Sequence, residues 1–126
     1  MAEYQPGVCN IGPAEIAKRK QVGWVGTGAT AILWLTLMVF HISRVWRLTI
    51  FIPATVAAIG LLQGYLHFCA RFGFRGVFNF GPQVGKTETV EQAEFRRKDR
   101  QKASRIVAYS VLIAAILTAL SFFSPF

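Results

Sequence analysis

This chain has no charge where it is most apolar. No Asp, Glu, Lys or Arg occurs from Gln21 to Ser43, from Leu48 to Ala70 or from Ile106 to Phe126, runs of 23, 23 and 21 residues. That absence argues against a proton-driven pump or a channel with a charged filter, at least for one copy alone. Acidic residues are scarce, six against fourteen basic ones. Glu88, Glu91, Glu94 and Asp99 are interleaved with basic residues and read as a solvated helix, so no paired-carboxylate site is visible. The two cysteines are too few for a disulfide framework. There is no nucleotide-binding glycine loop, no Ser-His-acid set, no internal repeat and no low-complexity tract.

What is present is apolar length. At about 1.5 Å per residue each uncharged run reaches across roughly 30 Å of hydrocarbon. Backbone amides in lipid must bond within their own segment, so three spanning helices are the natural solution. The expected spans are 21–43, 48–70 and 106–123, with an outer turn at 44–47. The first run is longer than a signal-peptide core, lacks a clean cleavage site before Arg44 and follows a segment containing Glu3, Pro6, Pro13 and Glu15. It is read as a retained helix. The expected fold is a single all-α membrane domain with an N-terminal interfacial helix and a helical extension of the third span.

The net charge of +8 is distributed in a way that points to a membrane rather than to nucleic acid. Lys18, Arg19 and Lys20 precede the first run, and nine more basic residues lie between Arg71 and Arg105. Only Arg44 and Arg47 join the first two runs. Twelve basic residues against two place the N-terminus and the 71–105 linker in the cytoplasm and the C-terminus outside. Lys18, Arg19, Lys20, Arg71 and Arg75 are candidate contacts for anionic lipid headgroups. In that topology Cys9 and Cys69 lie on the reducing side.

Residues 9–20 suit a membrane-surface helix. Asn10 or Gly12 can cap it, Pro13 fits its first turn, and Glu15 lies near its positive end. The helix is expected to turn into the first span near Gln21 or Gly23. The pattern Asn10-Ile11-Gly12-x-x-Glu15-Ile16-x-x-Arg19-x-x-x-Gly23 before an apolar run resembles the opening of a family of small bacterial inner-membrane proteins of unknown function. That family begins Asn-Val-Gly-x-x-acidic-Arg-x-x-Arg-x-x-x-Gly and continues into a pair of short transmembrane helices; some members are fused to a rhodanese domain. The match covers about fifteen residues. Its usual first Arg is Ile16 here, and no rhodanese domain is present. The resemblance implies a bacterial cytoplasmic-membrane protein and hints at sulfur chemistry in trans.

The linker has two parts. Residues 71–86 set Phe72, Phe74, Phe78 and Phe80 among glycines 73, 76, 81 and 85. Glycine at this density is expected to break helix and strand alike. The four rings suit an interfacial loop dipping below headgroups or a docking patch for a neighbouring subunit. From Thr89 the chain reads as helix again, with Thr89 and Gln92 spaced as a capping box and Glu94 paired with Lys98. A continuous rod about 50 Å long is expected from Val90 to Phe123.

Chemistry-bearing candidates are few. Gly60, Gln63, Gly64 and His67 share one face of span two, and Gly60-x-x-x-Gly64 suits a helix-packing seam against Gly23, Gly26, Thr27, Gly28 and Thr30 of span one. Cys9, His67 and Cys69 form a sparse alternative for zinc or copper, without a fourth ligand. His41 and His67 lie about a membrane thickness apart, so one haem cannot join them within a chain, although either alone could hold a pigment. No cofactor is expected beyond a metal or pigment at His67. The function expected is non-catalytic: an accessory or scaffold subunit of a larger membrane complex, or a homo-oligomer. The alternative is a metal-, pigment- or sulfur-handling protein using Cys9, His67 and Cys69.

Overall fold

Gly12 sits extended before Pro13, whose fixed φ and missing N–H suit a first helical turn. From there helix α1 runs unbroken from Pro13 to Val39. The computed structural model describes residues 3–125. There is no turn at Gln21 or Gly23. The basic triplet is the first part of the membrane helix itself, because nothing in residues 18–26 removes a backbone donor and each glycine is held by packing.

His41, at φ 50°, turns the chain, and a 3-10 helix occupies Arg44–Ile50. It leads directly into α2, Phe51–Leu66. The turn between the first two spans therefore lies before Arg44, and the expected 44–47 turn is already helical. Span two also ends earlier than the apolar run. His67 adopts a left-handed conformation (φ 56°), its N–H and that of Phe68 both donating to the Gln63 carbonyl. Residues 67–69 then turn into a short helix α3, Ala70–Arg75, which Gly76 closes at φ 68°.

The Phe/Gly segment is thus more regular than its glycine content suggests. Strand β1 (Val77–Phe78) pairs antiparallel with β2 (Glu88–Thr89), in the register Val77 to Thr89 and Phe78 to Glu88. Helix α4 spans Ala93–Phe122. Its N-cap is Gln92 without a side-chain bond, so the Thr89 capping box does not form: Thr89 is in the ladder instead. At 30 residues α4 is about 45 Å long.

Three helical stretches, Pro13–Val39, Arg44–Leu66 and Ala93–Phe122, are long and apolar enough to cross a membrane. The protein is an all-α integral membrane protein. Helix α2 lies between α1 and α4, which scarcely meet each other. One core cluster, Leu37, Ile50, Ala54 and Ala114, joins all three near the Arg44 end. A second, Phe68, Ala70, Ala103 and Ile106, binds α3 to α4 at the basic end, and a third gathers Ile11, Cys69 and Phe72. Ile16 packs on this last cluster.

Candidate functional site

The α1–α2 seam is built from glycines. A Cβ placed on Gly60 would lie 2.6 Å from the Gly23 nitrogen, and one on Gly26 would lie 2.7 Å from the Ala57 nitrogen. Both meet backbone, which cannot swing aside. A Cβ on Gly64 would meet Lys20, whereas one on Gly28 would meet nothing within 4 Å. Thr27 and Thr30 donate to the Gly23 and Gly26 carbonyls of their own helix, at 2.9 and 2.7 Å. Gln63 does not bond across the seam: its Oε1 accepts from the Ala70 N–H at 2.7 Å and ties down the turn after α2.

At the basic end the chain forms a polar knot around Asn10, which is fully buried. Its side chain reads both polar atoms of Cys69: Nδ2 donates to the carbonyl at 3.1 Å and Oδ1 accepts from the N–H at 2.7 Å. Its N–H donates to the His67 carbonyl, and its carbonyl accepts from the Asn79 N–H. Gly12 N–H donates to the Asn79 carbonyl, completing a parallel bridge between the N-terminal segment and the loop after β1. Asn79 closes that loop by donating to the Gln83 carbonyl and accepting from the Gly81 N–H.

Glu15, 1 % exposed, stands beside the knot. Its carboxylate accepts from the Gly85 N–H at 3.2 Å and faces the Arg19 guanidinium at 3.2 Å. Arg19 also donates to the Cys69 sulfur at 3.1 Å and lies 5.3 Å from the centre of the Phe72 ring. Removing one member of such a buried pair costs about 3–5 kcal/mol, because the other charge is left unpaired. A second anchor is Asp99, which is fully buried. It accepts from the Tyr4 hydroxyl at 2.6 Å and the Gly7 N–H at 2.7 Å. Burial, then the Asp99 bond and charge, push the Tyr4 hydroxyl well above the ordinary tyrosine range. Asp99 is therefore not on a solvated face. It belongs to the buried stripe Asp99, Ala103, Ile106, Ser110, Ala114, Thr118 and Ser121.

Several expected site residues are redistributed by this geometry. His67 leaves the Gly60–Gly64 face because the helix ends at Leu66, and its side chain is exposed. Cys69 is buried beneath Arg19, while Cys9 is half-buried with its thiol directed to the Ile11 carbonyl, and burial raises its pKa. Among the described residues no three His, Cys, Asp or Glu side chains converge in a way that could hold a metal ion. The phenylalanines also separate. Phe72 is buried, Phe78 stacks on Tyr4 at 4.9 Å and lies 6.1 Å from Phe80, and Phe74 alone is substantially exposed. Of the basic candidates, Arg19 is engaged internally and Lys20 lies over the Tyr65 ring, whereas Lys18, Arg71 and Arg75 are exposed.

Besides a groove of about 580 Å³ between Leu48, Phe51 and the end of α4, two open grooves flank the α1–α2 seam. The larger, about 510 Å³, lies over α2 between α1 and α4. Its floor is Ala54, Ala57 and Ala58, and its walls include Thr27, Thr30, Ala31 and Ser121. Among the described residues the buried Ser121 hydroxyl has no hydrogen-bond partner. The smaller groove, about 450 Å³, lies on the other side of the α1–α2 seam. At the Arg44 end, Arg47 is buried and donates to the Ser121 and Ser124 carbonyls at 2.9 and 3.1 Å, satisfying the C-terminus of α4.

Asn79, Asp99 and Arg47 were not candidates from the chain alone, and Asn10 reads there as a helix cap and the start of the N-terminal pattern rather than as the centre of a buried knot. Asp99 had one usable signal, its alignment at i, i+4 and i+7 with Ala103 and Ile106. Comparison with protein-family models, curated proteins and solved structures returned no match for the chain.

Proposed function

We propose that this chain is a non-catalytic membrane protein that works by association, as an accessory or scaffold subunit of a larger bacterial inner-membrane complex or as a homo-oligomer, with its basic end in the cytoplasm. The observation carrying this reading is the groove between α1 and α4. Small side chains on its floor (Ala54, Ala57, Ala58) and on α1 (Thr27, Thr30, Ala31) leave room for another helix between Trp34 and the Ile113, Leu117 and Leu120 side chains of α4. Close approach of this kind is how helices associate where lipid supplies no hydrophobic driving force. The unpaired Ser121 hydroxyl offers that helix a hydrogen bond. Basic asymmetry and the N-terminal resemblance support the orientation and the bacterial membrane.

The test is purification in mild detergent with mass measurement of the particle. The wild type should run with a partner subunit or as more than one copy. Ala31→Trp, which fills the groove, should release a single chain, while Ile32→Trp, facing outward, should not. A single-chain particle for the wild type, or equal behaviour of the two variants, overturns the reading.

A further inference from the structure

The smaller groove has a different chemistry from the larger one. Lys18 and Gln21 stand at its mouth, and Val25, Ala29, Pro53 and Val56 line its length. Lys18 to Ala29 is a rise of about 16 Å along α1, close to the ~15 Å of hydrocarbon in one leaflet. The groove therefore starts at headgroup level and ends near the bilayer centre. That length matches a single acyl chain lying within one leaflet.

Charge at the mouth selects the headgroup. Within the basic triplet Arg19 is neutralised by Glu15, and Lys20 lies over the Tyr65 ring at 4.4 Å. Lys18 is exposed and, among the described residues, has no ion-pair partner. Basic pockets between membrane helices are suited to anionic headgroups. We propose that this groove is a site for one phospholipid of net negative charge, its phosphate on Lys18 and Gln21 and one acyl chain along Val25 and Ala29. Lys18 thus acts as a defined lipid contact, whereas Arg19 of the same triplet is structural.

The full chain in nanodiscs of mixed phosphatidylglycerol and phosphatidylcholine, released for native mass spectrometry, tests the site. Wild type should retain one phosphatidylglycerol in preference to phosphatidylcholine. Lys18→Gln should weaken that retention about fivefold, as expected for loss of one basic residue beside an anionic headgroup. Ala29→Leu should lower retention of both lipids by filling the groove, and Arg44→Gln, exposed at the opposite end of α1, should change nothing. Unchanged phosphatidylglycerol retention in Lys18→Gln, or equal retention of the two lipids by wild type, overturns the proposal whatever Ala29→Leu does. The readout is bound lipid, so it is independent of whether the larger groove holds a partner.

Discussion

Four glycines of α1 and α2 should respond to the same added methyl group with opposite signs. Glycine inside a helix costs roughly 0.5–1 kcal/mol relative to alanine through backbone entropy. At Gly28, where a Cβ meets nothing within 4 Å, Gly28→Ala should recover that difference and stabilise the protein. At Gly60 the new Cβ would fall 2.6 Å from the Gly23 nitrogen and 2.7 Å from its Cα, about 0.8 Å inside ordinary contact. Neither atom belongs to a flexible side chain, so α1 and α2 must separate along the seam. Overpacking of this kind costs about 1–3 kcal/mol, which outweighs the entropic gain. Gly23→Ala, facing the Leu61 backbone at 2.6 Å, and Gly26→Ala, facing Ala57 at 2.7 Å, should behave like Gly60→Ala. Unfolding in mixed micelles of rising denaturing-detergent fraction, followed by far-ultraviolet circular dichroism, would rank the four variants. If Gly60→Ala proves as stable as wild type, or Gly28→Ala falls with the others, the close-packed seam is refuted.

Asn10→Leu should destabilise the basic end by about 1–3 kcal/mol, because it takes the acceptor from the buried Cys69 N–H and leaves the Cys69 carbonyl with the Gly73 N–H alone; hydrogen exchange at residues 68–70 would show it, and unchanged protection would contradict it. Arg47→Met should cost about 1.5–3 kcal/mol by leaving the Ser121 and Ser124 carbonyls without their charged donor. Its signature would be faster amide exchange confined to the last turn of α4. Cys9 should react with a maleimide more slowly than a free thiol at pH 8, since its raised pKa leaves less thiolate, and the rate should climb as pH rises above 9. Cys69, 2 % exposed, should stay unlabelled until the protein unfolds. Equal labelling of both thiols in the folded protein would remove the buried Arg19–Cys69 arrangement.

The chain alone settled the things that depend on local composition. Uncharged runs of membrane length determined three spanning helices, because the peptide group has no other partner in lipid. Gly12-Pro13 marked the start of α1 through backbone restrictions that operate whatever surrounds them. Gly60-x-x-x-Gly64 was legible as a close-packing face, since the absence of a Cβ is a property of the residue itself.

Tertiary structure decided everything that depends on a distant partner. Ile106 to Phe126 can be read as a span, but nothing in that run shows that α4 packs on α2 and leaves α1 apart. His67 looked like the next step of the glycine face until the left-handed turn closed by the Gln63 carbonyl took it off the helix. Asp99 sits among Arg96, Arg97, Lys98 and Arg100 and appears solvated by sequence; it is buried because Tyr4 and Gly7, more than ninety residues away, supply its hydrogen bonds. Glycine-rich residues 71–86 gained order in the same way, from Asn10 and the β1–β2 ladder rather than from their own propensities. A buried polar group is tolerable only where its partners are already held, and the partners of Asn10, Glu15, Arg47 and Asp99 are brought together by the fold alone.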